Sequence, residues 1–180
     1  IDFALVRNCN YVFSEIHITQ KERPTIFVAG ESTLTDQNAL FPHYPYGSCA
    51  GWAQVLLQYF DTLAICNQAH SGMTTNCFRD DGHWDIVKNN IKDGDIVMLQ
   101  FGHNDQKSDD AARFASAAES TDTEGSFKNI LWNKYAKIAQ DKGATVILCS
   151  PIVRINANND YSGANGHHTA TGDYGAAVKE

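Results

Sequence analysis

Four short apolar runs constrain this chain more than anything else in it. They are Thr25-Ile26-Phe27-Val28-Ala29, Leu63-Ala64-Ile65-Cys66-Asn67, Asp95-Ile96-Val97-Met98-Leu99-Gln100-Phe101 and Ala144-Thr145-Val146-Ile147-Leu148-Cys149. Each lacks the polar alternation of a strand with one face in water, so each reads as a strand covered on both faces. Segments of helical period lie between them. Gly51 to Phe60 carries Trp52, Val55, Leu56, Tyr59 and Phe60 at helical spacing, and Trp84 to Ile91 sets Ile86, Val87 and Ile91 on one side. Phe127 to Lys142 turns Ile130, Leu131, Tyr135, Ile138 and Ala139 inward, with Gly143 where a left-handed terminating residue is favoured. Asp173 to Glu180 is helix-like. Strand and helix alternate over short connections, which predicts an α/β fold with a parallel sheet and helices on both faces.

The first residues follow another rhythm. Ile1 to Gln20 is strand-like, with Tyr11 to Thr19 rich in β-branched and aromatic residues, and Lys21-Glu22-Arg23-Pro24 reads as a polar connector. Residues 1–23 are therefore expected to be a separate strand-like segment, either the end of an upstream β-rich module or an edge strand. Residues 24–180 form the main domain, long enough for a core of its own.

In open parallel sheets ligands bind beyond the carboxyl ends of the strands. Three polar clusters fall there: Gly30-Glu31-Ser32-Thr33 after the first strand, Ser71-Gly72-Met73 past the second, and Gly102-His103-Asn104-Asp105 after the third. Acyl transfer by a serine needs an exposed hydroxyl, a base, and donors aimed at the developing oxyanion. Ser32 sits where a strand turns, and can supply the hydroxyl. The Ser32 N–H, the Gly72 N–H and the Asn104 amide are candidate oxyanion donors. Each has a plainer reading when taken alone: Ser32 as a helix N-cap, Gly72 as a turn glycine, Asn104 as a turn former. Three such residues at successive strand ends favour a site.

These clusters resemble the conserved blocks of the SGNH (GDSL-like) hydrolases. Ala29-Gly30-Glu31-Ser32-Thr33 resembles the first block, Ser71-Gly72 the second, and Gly102-His103-Asn104-Asp105 the third. Thr35-Asp36-Gln37, Gly51-Trp52 and Phe101 to Lys107 make the chain similar to the rhamnogalacturonan acetylesterase branch of carbohydrate esterases, over roughly residues 24 to 180. The resemblance implies a three-layer α/β/α, flavodoxin-like fold. It implies Ser32 as nucleophile, with Ser32, Gly72 and Asn104 as the oxyanion hole, no cofactor, and acetylated pectic carbohydrate as substrate. Glu31 and His103 are expected to support the site.

Two departures matter. Glu31 stands where the family usually has Asp. The family's final block, an Asp-x-x-His that follows the last strand and supplies the acid and base, is not found near the C-terminus. His167 and His168 are there, with no Asp three residues before either. The chain is thus expected to stop short of its base and, by itself, to be poorly active.

Other candidates are weaker. His70, His83 and His103 with Asp81 or Asp105 lack the spacing of a metal site, so no metal is expected. Tyr44 and Tyr46, in a Pro-Tyr loop, are candidates for the substrate rim, whereas Trp52 starts an apolar stripe and reads as core. The formal net charge of -7 argues against a nucleic-acid or anionic-membrane surface. No apolar run is long enough to span a bilayer. Secretion or cell-surface display is favoured over the cytoplasm. Cys66 and Cys149 read as buried thiols, and a disulfide among Cys9, Cys49 and Cys77 is left open. The function classes left are a carbohydrate O-acetylesterase, an SGNH esterase or lipase on another ester, and a non-catalytic sugar-binding relative.

Overall fold

The computed structural model describes residues 22–36, 50–153, 168–169 and 172–180. Four parallel strands form the central sheet: β1 (Thr25–Gly30), β2 (Ala64–Asn67), β3 (Ile96–Gln100) and β4 (Thr145–Leu148), in the order β2-β1-β3-β4. They coincide with the four apolar runs, each trimmed or extended by a residue or two at its ends. β1 is central, pairing with β2 through Thr25 to Val28 and with β3 through Ile26 to Gly30. Its burial is complete from Ile26 to Gly30, as expected for a strand covered on both faces. β2 and β4 are the outer strands among the described residues, and the exposure of β4 alternates, with Ile147 40% accessible.

Alternate side chains of β1 and β3 feed two cores. Phe27, Ala29, Val97 and Leu99 point to the larger one, with Phe78, Trp84, Val87, Ile130, Leu131, Tyr135 and Tyr174. These come from helices α1 (Thr75–Asp80), α2 (His83–Asn90), α3 (Phe127–Ile130) with its continuation, and α5 (Tyr174–Lys179). Ile26 and Val28 point to the smaller core, with Leu34, Ala53, Trp52 and Leu56. The result is the expected three-layer α/β arrangement, with unequal outer layers.

Two helices depart from expectation. Trp52–Tyr59 is a 3-10 helix rather than an α-helix. Val55, Leu57 and Tyr59 are exposed, so Val55 and Tyr59 do not join the stripe predicted for them. The long helix is present but interrupted: α3 passes into a π-helical stretch, Leu131–Ala136, before α4 (Lys137–Asp141). Ile130, Leu131, Tyr135 and Ala139 are buried as predicted, and Gly143 ends the helix at φ 85°. In α2, Trp84 and Val87 are buried, whereas Ile86 is exposed. α1 was not evident as a helix in the sequence, because its six residues span too little to show a period.

A short antiparallel pair, β5 (His168–Thr169) and β6 (Gly172–Asp173), leads into α5, whose N-terminus is capped by the Asp173 carboxylate accepting from Gly175 and Ala176. Cys66, Cys77 and Cys149 are free thiols, partly rather than fully buried. No helix among the described residues is long and apolar enough to cross a membrane.

Candidate active site

β1 delivers its last residue, Gly30, against Gln100 of β3, and the chain then turns sharply. The Glu31 carbonyl accepts from the Leu34 N–H (3.0 Å) and from the Thr35 hydroxyl (3.0 Å). Ser32 lies in this turn and is half-buried. The residues after it, up to 36, form turn and bend rather than helix, so the N-cap reading of Ser32 finds no helix among the described residues. The turn is braced from behind. Gly51 and Trp52 donate their N–H groups to Thr35 and Thr33 carbonyls (3.2 and 2.8 Å). Gly51 packs so closely that a Cβ there would lie 2.3 Å from the Leu34 carbonyl carbon, which explains Gly-Trp at this point.

Glu31 is the unexpected centre of the site. Its side chain is fully buried. One carboxylate oxygen accepts from the His103 N–H (3.2 Å); the other accepts from the Asn104 N–H (3.3 Å) and the Asn104 side-chain amide (3.0 Å). One side chain thereby ties the turn after β1 to the turn after β3. The longer Glu in place of the family's Asp reaches both residues of that second turn. His103 lies beside it, with Nδ1 3.5 Å from Glu31 and Nε2 donating to the Ile152 carbonyl at 2.7 Å. A carbonyl only accepts, so Nε2 carries the hydrogen. His103 therefore bonds outside its own loop, linking the first and third clusters to the segment after β4.

Asn104 holds the second cluster. Its amide nitrogen donates to Glu31 and also to the Met73 carbonyl (3.0 Å), while its oxygen accepts from Lys107 Nζ (2.9 Å). Both amide hydrogens are thus engaged within the protein, and an oxyanion at Nδ2 would share one of them. Gly72 stands in the turn before α1 at φ 79°, partly exposed. Ser32, Glu31, Gly72, His103 and Asn104 therefore come from three turns at one end of the sheet. Tyr44 and Tyr46 lie outside the described residues.

Several residues that hold this arrangement escaped the sequence reading. Gln100 accepts from the Thr33 hydroxyl and from Trp52 Nε1 (both 3.0 Å) and donates to the Ser150 carbonyl (2.7 Å). Trp52 is thus a polar strut as well as a core residue. Asp105 is buried, and one of its oxygens accepts from both the Thr75 N–H (2.8 Å) and the Thr75 hydroxyl (2.6 Å). Among the described residues its other oxygen has no hydrogen-bond partner. Burial pushes the Asp105 carboxyl up from 3.8 to about 6, against the lowering pull of its bonds to Thr75. Tyr135 donates its hydroxyl to the Thr75 carbonyl, and burial raises the Tyr135 hydroxyl well above its ordinary value. Arg113 donates to the Gly72 carbonyl. A polar residue at the end of a buried strand, like Gln100, was the one visible signal; the others depend on contacts distant in sequence.

The sequence does contain an Asp-x-x-His string that the reading passed over, Asp80-Asp81-Gly82-His83. It spans the end of α1 and the start of α2. Asp80 pairs with Arg79 at the surface, and the His83 ring stacks on His70 with centroids 4.7 Å apart. It does not follow the last strand of the sheet, as the family block does. Among the described residues no group of three or more His, Cys, Asp or Glu is arranged to hold a metal ion.

Comparison with known proteins points the same way as the motifs. No family model matches the chain. It is 32% identical over 130 residues to the rhamnogalacturonan acetylesterase RhgT of Bacillus subtilis, covering 72% of this chain and 49% of that protein. It is 31% identical over 158 residues to the uncharacterized esterase YxiM of the same organism, covering 86% of this chain and 36% of that one. The crystal structure of YxiM matches with a TM-score of 0.62 and 31% identity, over 88% of this chain and 40% of that chain. The chain thus spans about half the length, or less, of these two relatives.

Proposed function

The chain is a rhamnogalacturonan acetylesterase-like SGNH hydrolase in sequence and fold, and from that premise we propose that it carries the nucleophile and oxyanion-binding side of a carbohydrate O-acetylesterase. In this reading the Ser32 hydroxyl attacks the acetyl carbonyl of an esterified pectic sugar of the rhamnogalacturonan type. The alkoxide leaves as the free sugar hydroxyl, and water then releases acetate from the acyl-enzyme. The N–H groups of Ser32 and Gly72, with Asn104, face the oxygen that becomes negative. Glu31 and His103 act behind them by fixing the turn that bears Asn104.

The observation that supports this reading best is the buried Glu31 carboxylate accepting three hydrogens from His103 and Asn104. It brings the turn of the proposed nucleophile against the turn of a proposed oxyanion donor. No described histidine is assigned as the general base: His103 Nε2 bonds the Ile152 carbonyl, and the His70 and His83 rings stack on each other.

The test is acetate release from acetylated pectin by the full gene product and by its Ser32→Ala variant. The variant should lose at least about 1,000-fold in kcat. Equal rates would remove Ser32 from the mechanism. Faster turnover of acylglycerols than of acetylated pectin would move the substrate to another ester. A second reading, a non-catalytic sugar-binding relative, is favoured by the engagement of both Asn104 amide hydrogens. It predicts no Ser32-dependent labelling by a fluorophosphonate probe, whereas the esterase reading predicts labelling.

A further inference from the structure

The long polar stretch between β3 and α3 is an ordered strap that brings one cation to the candidate site. It is pinned at both ends: the Ala115 N–H bonds the Asp105 carbonyl (3.0 Å), and the Phe127 N–H bonds the Ser116 carbonyl (2.9 Å). Its middle is seated by the buried Ala115 and Ala117 and by the Tyr174 hydroxyl on the Ala115 carbonyl (2.7 Å). A turn in which the Arg113 and Phe114 N–H groups both bond the Asp110 carbonyl then fixes Arg113. From there its guanidinium reaches across to the Gly72 carbonyl.

The way Arg113 is used is unusual. Its Nε is buried without a hydrogen-bond partner, and among the described residues Arg113 pairs with no carboxylate. A partly desolvated guanidinium normally sits against a carboxylate, because burying an unpaired charge is unfavourable. Here the charge is directed at a neutral backbone carbonyl in a partly exposed turn, a carbonyl that water could satisfy. The turn itself is intrinsically loose, since Gly72 occupies φ 79°, which a glycine enters and leaves freely. Arg113 holds the Gly72 carbonyl while Asn104 holds the Met73 carbonyl. The two peptide planes after Gly72 are thereby fixed, and the Met73 N–H bonds the His70 carbonyl (3.3 Å), closing the turn around the plane that carries the Gly72 N–H.

We infer that Arg113 is a positioning residue for the Gly72 oxyanion donor: by holding the Gly72 carbonyl it fixes one end of the closed turn and so limits where the Gly72 N–H can aim. This rests on the proposed esterase reading. An oxyanion donor works through aim at the transition state, and the same contact does little for the bound ground state. The expected signature is therefore a loss in kcat with little change in KM.

The experiment measures acetyl ester hydrolysis by the full gene product, by Ser32→Ala, by Arg113→Met and by Arg113→Lys, with thermal unfolding of each. Arg113→Met should keep its unfolding transition and lose about 10- to 100-fold in kcat, with KM within about twofold. Arg113→Lys, which keeps the charge and one donor, should fall between it and the parent. If Arg113→Met does not fold, the Lys variant decides alone by the same split. A tenfold rise in KM at constant kcat, or equal kcat in all the Arg113 variants, overturns the inference and leaves the esterase reading standing provided Ser32→Ala is inactive. Parent-like activity in Ser32→Ala overturns both.

Discussion

Glu31 and Asp105 are both fully buried carboxylates, and they are housed in opposite ways. Both Glu31 oxygens accept hydrogens from His103 and Asn104. Asp105 concentrates its bonds on one oxygen, which takes both donors of Thr75, and leaves the other bare. The first arrangement replaces the lost water almost completely, so the carboxylate can act as a rigid bracket. The second does so only in part, and the Asp105 carboxyl is accordingly pushed up to about 6. Two acids on neighbouring turns thus do different work: Glu31 joins the first and third clusters, while Asp105 joins the third to the start of α1.

This contrast can be broken by experiment, beginning where most is at stake. Glu31→Ala would strand the N–H groups of His103 and Asn104 and one amide hydrogen. It should destabilise the protein by about 3–5 kcal/mol in urea unfolding; a loss under about 1 kcal/mol would mean that the bracket is not formed.

The next effect is the pH dependence of Asp105. Its folded-state pKa lies above the ordinary value, so the folded chain holds this proton more tightly than the unfolded chain. The stability it adds is fully present below about pH 4 and is lost as pH rises through about 6. A shift of roughly two pH units corresponds to about 3 kcal/mol. Urea titrations of the parent and of Asp105→Asn at pH 4 and pH 7 should differ by about that amount in their pH-dependent change. Parallel behaviour of the two proteins would count against the housing described here.

A finer comparison substitutes the matching amide at each site at pH 7. Glu31→Gln puts an NH2 where one oxygen now accepts, and should lose about 2 kcal/mol or more. Asp105→Asn can keep its oxygen on Thr75 and turn its NH2 to the bare side, and should change stability by no more than about 1 kcal/mol. Reversal of that order would show the two carboxylates to be assigned the wrong way round. The smallest effect expected is that of Tyr135→Phe, which removes only the hydroxyl on the Thr75 carbonyl and should lower stability by about 1 kcal/mol.

The sheet was legible because unbroken apolar runs mark the strands of a parallel sheet, and all four runs became strands, although only β1 and β3 are largely buried and β4 alternates in exposure. The three polar clusters were legible because strand ends in a parallel sheet share one edge. What could not be read was how the clusters are joined. Glu31 was expected to support the site and stood out as a departure from a motif, but the three hydrogens its carboxylate accepts from His103 and Asn104 could not be read. Gln100, Asp105, Arg113 and Tyr135 act through partners at sequence separations from 30 to 67, for which period and composition carry no signal. The 3-10 form of Trp52–Tyr59 was hidden because i, i+3 spacing suits both helix types, which differ in their backbone hydrogen bonds.

The π-helical stretch has a consequence for how this chain should be compared with its relatives. Its hydrogen bonds skip five residues instead of four, so each such turn consumes one more residue than an α turn. A relative whose helix is α throughout would set the counterpart of Tyr135 at the same place in space but one position away in sequence. An alignment that forbids a gap between Leu131 and Ala136 would then pair that aromatic with a surface residue, and would score a kept contact as a lost one.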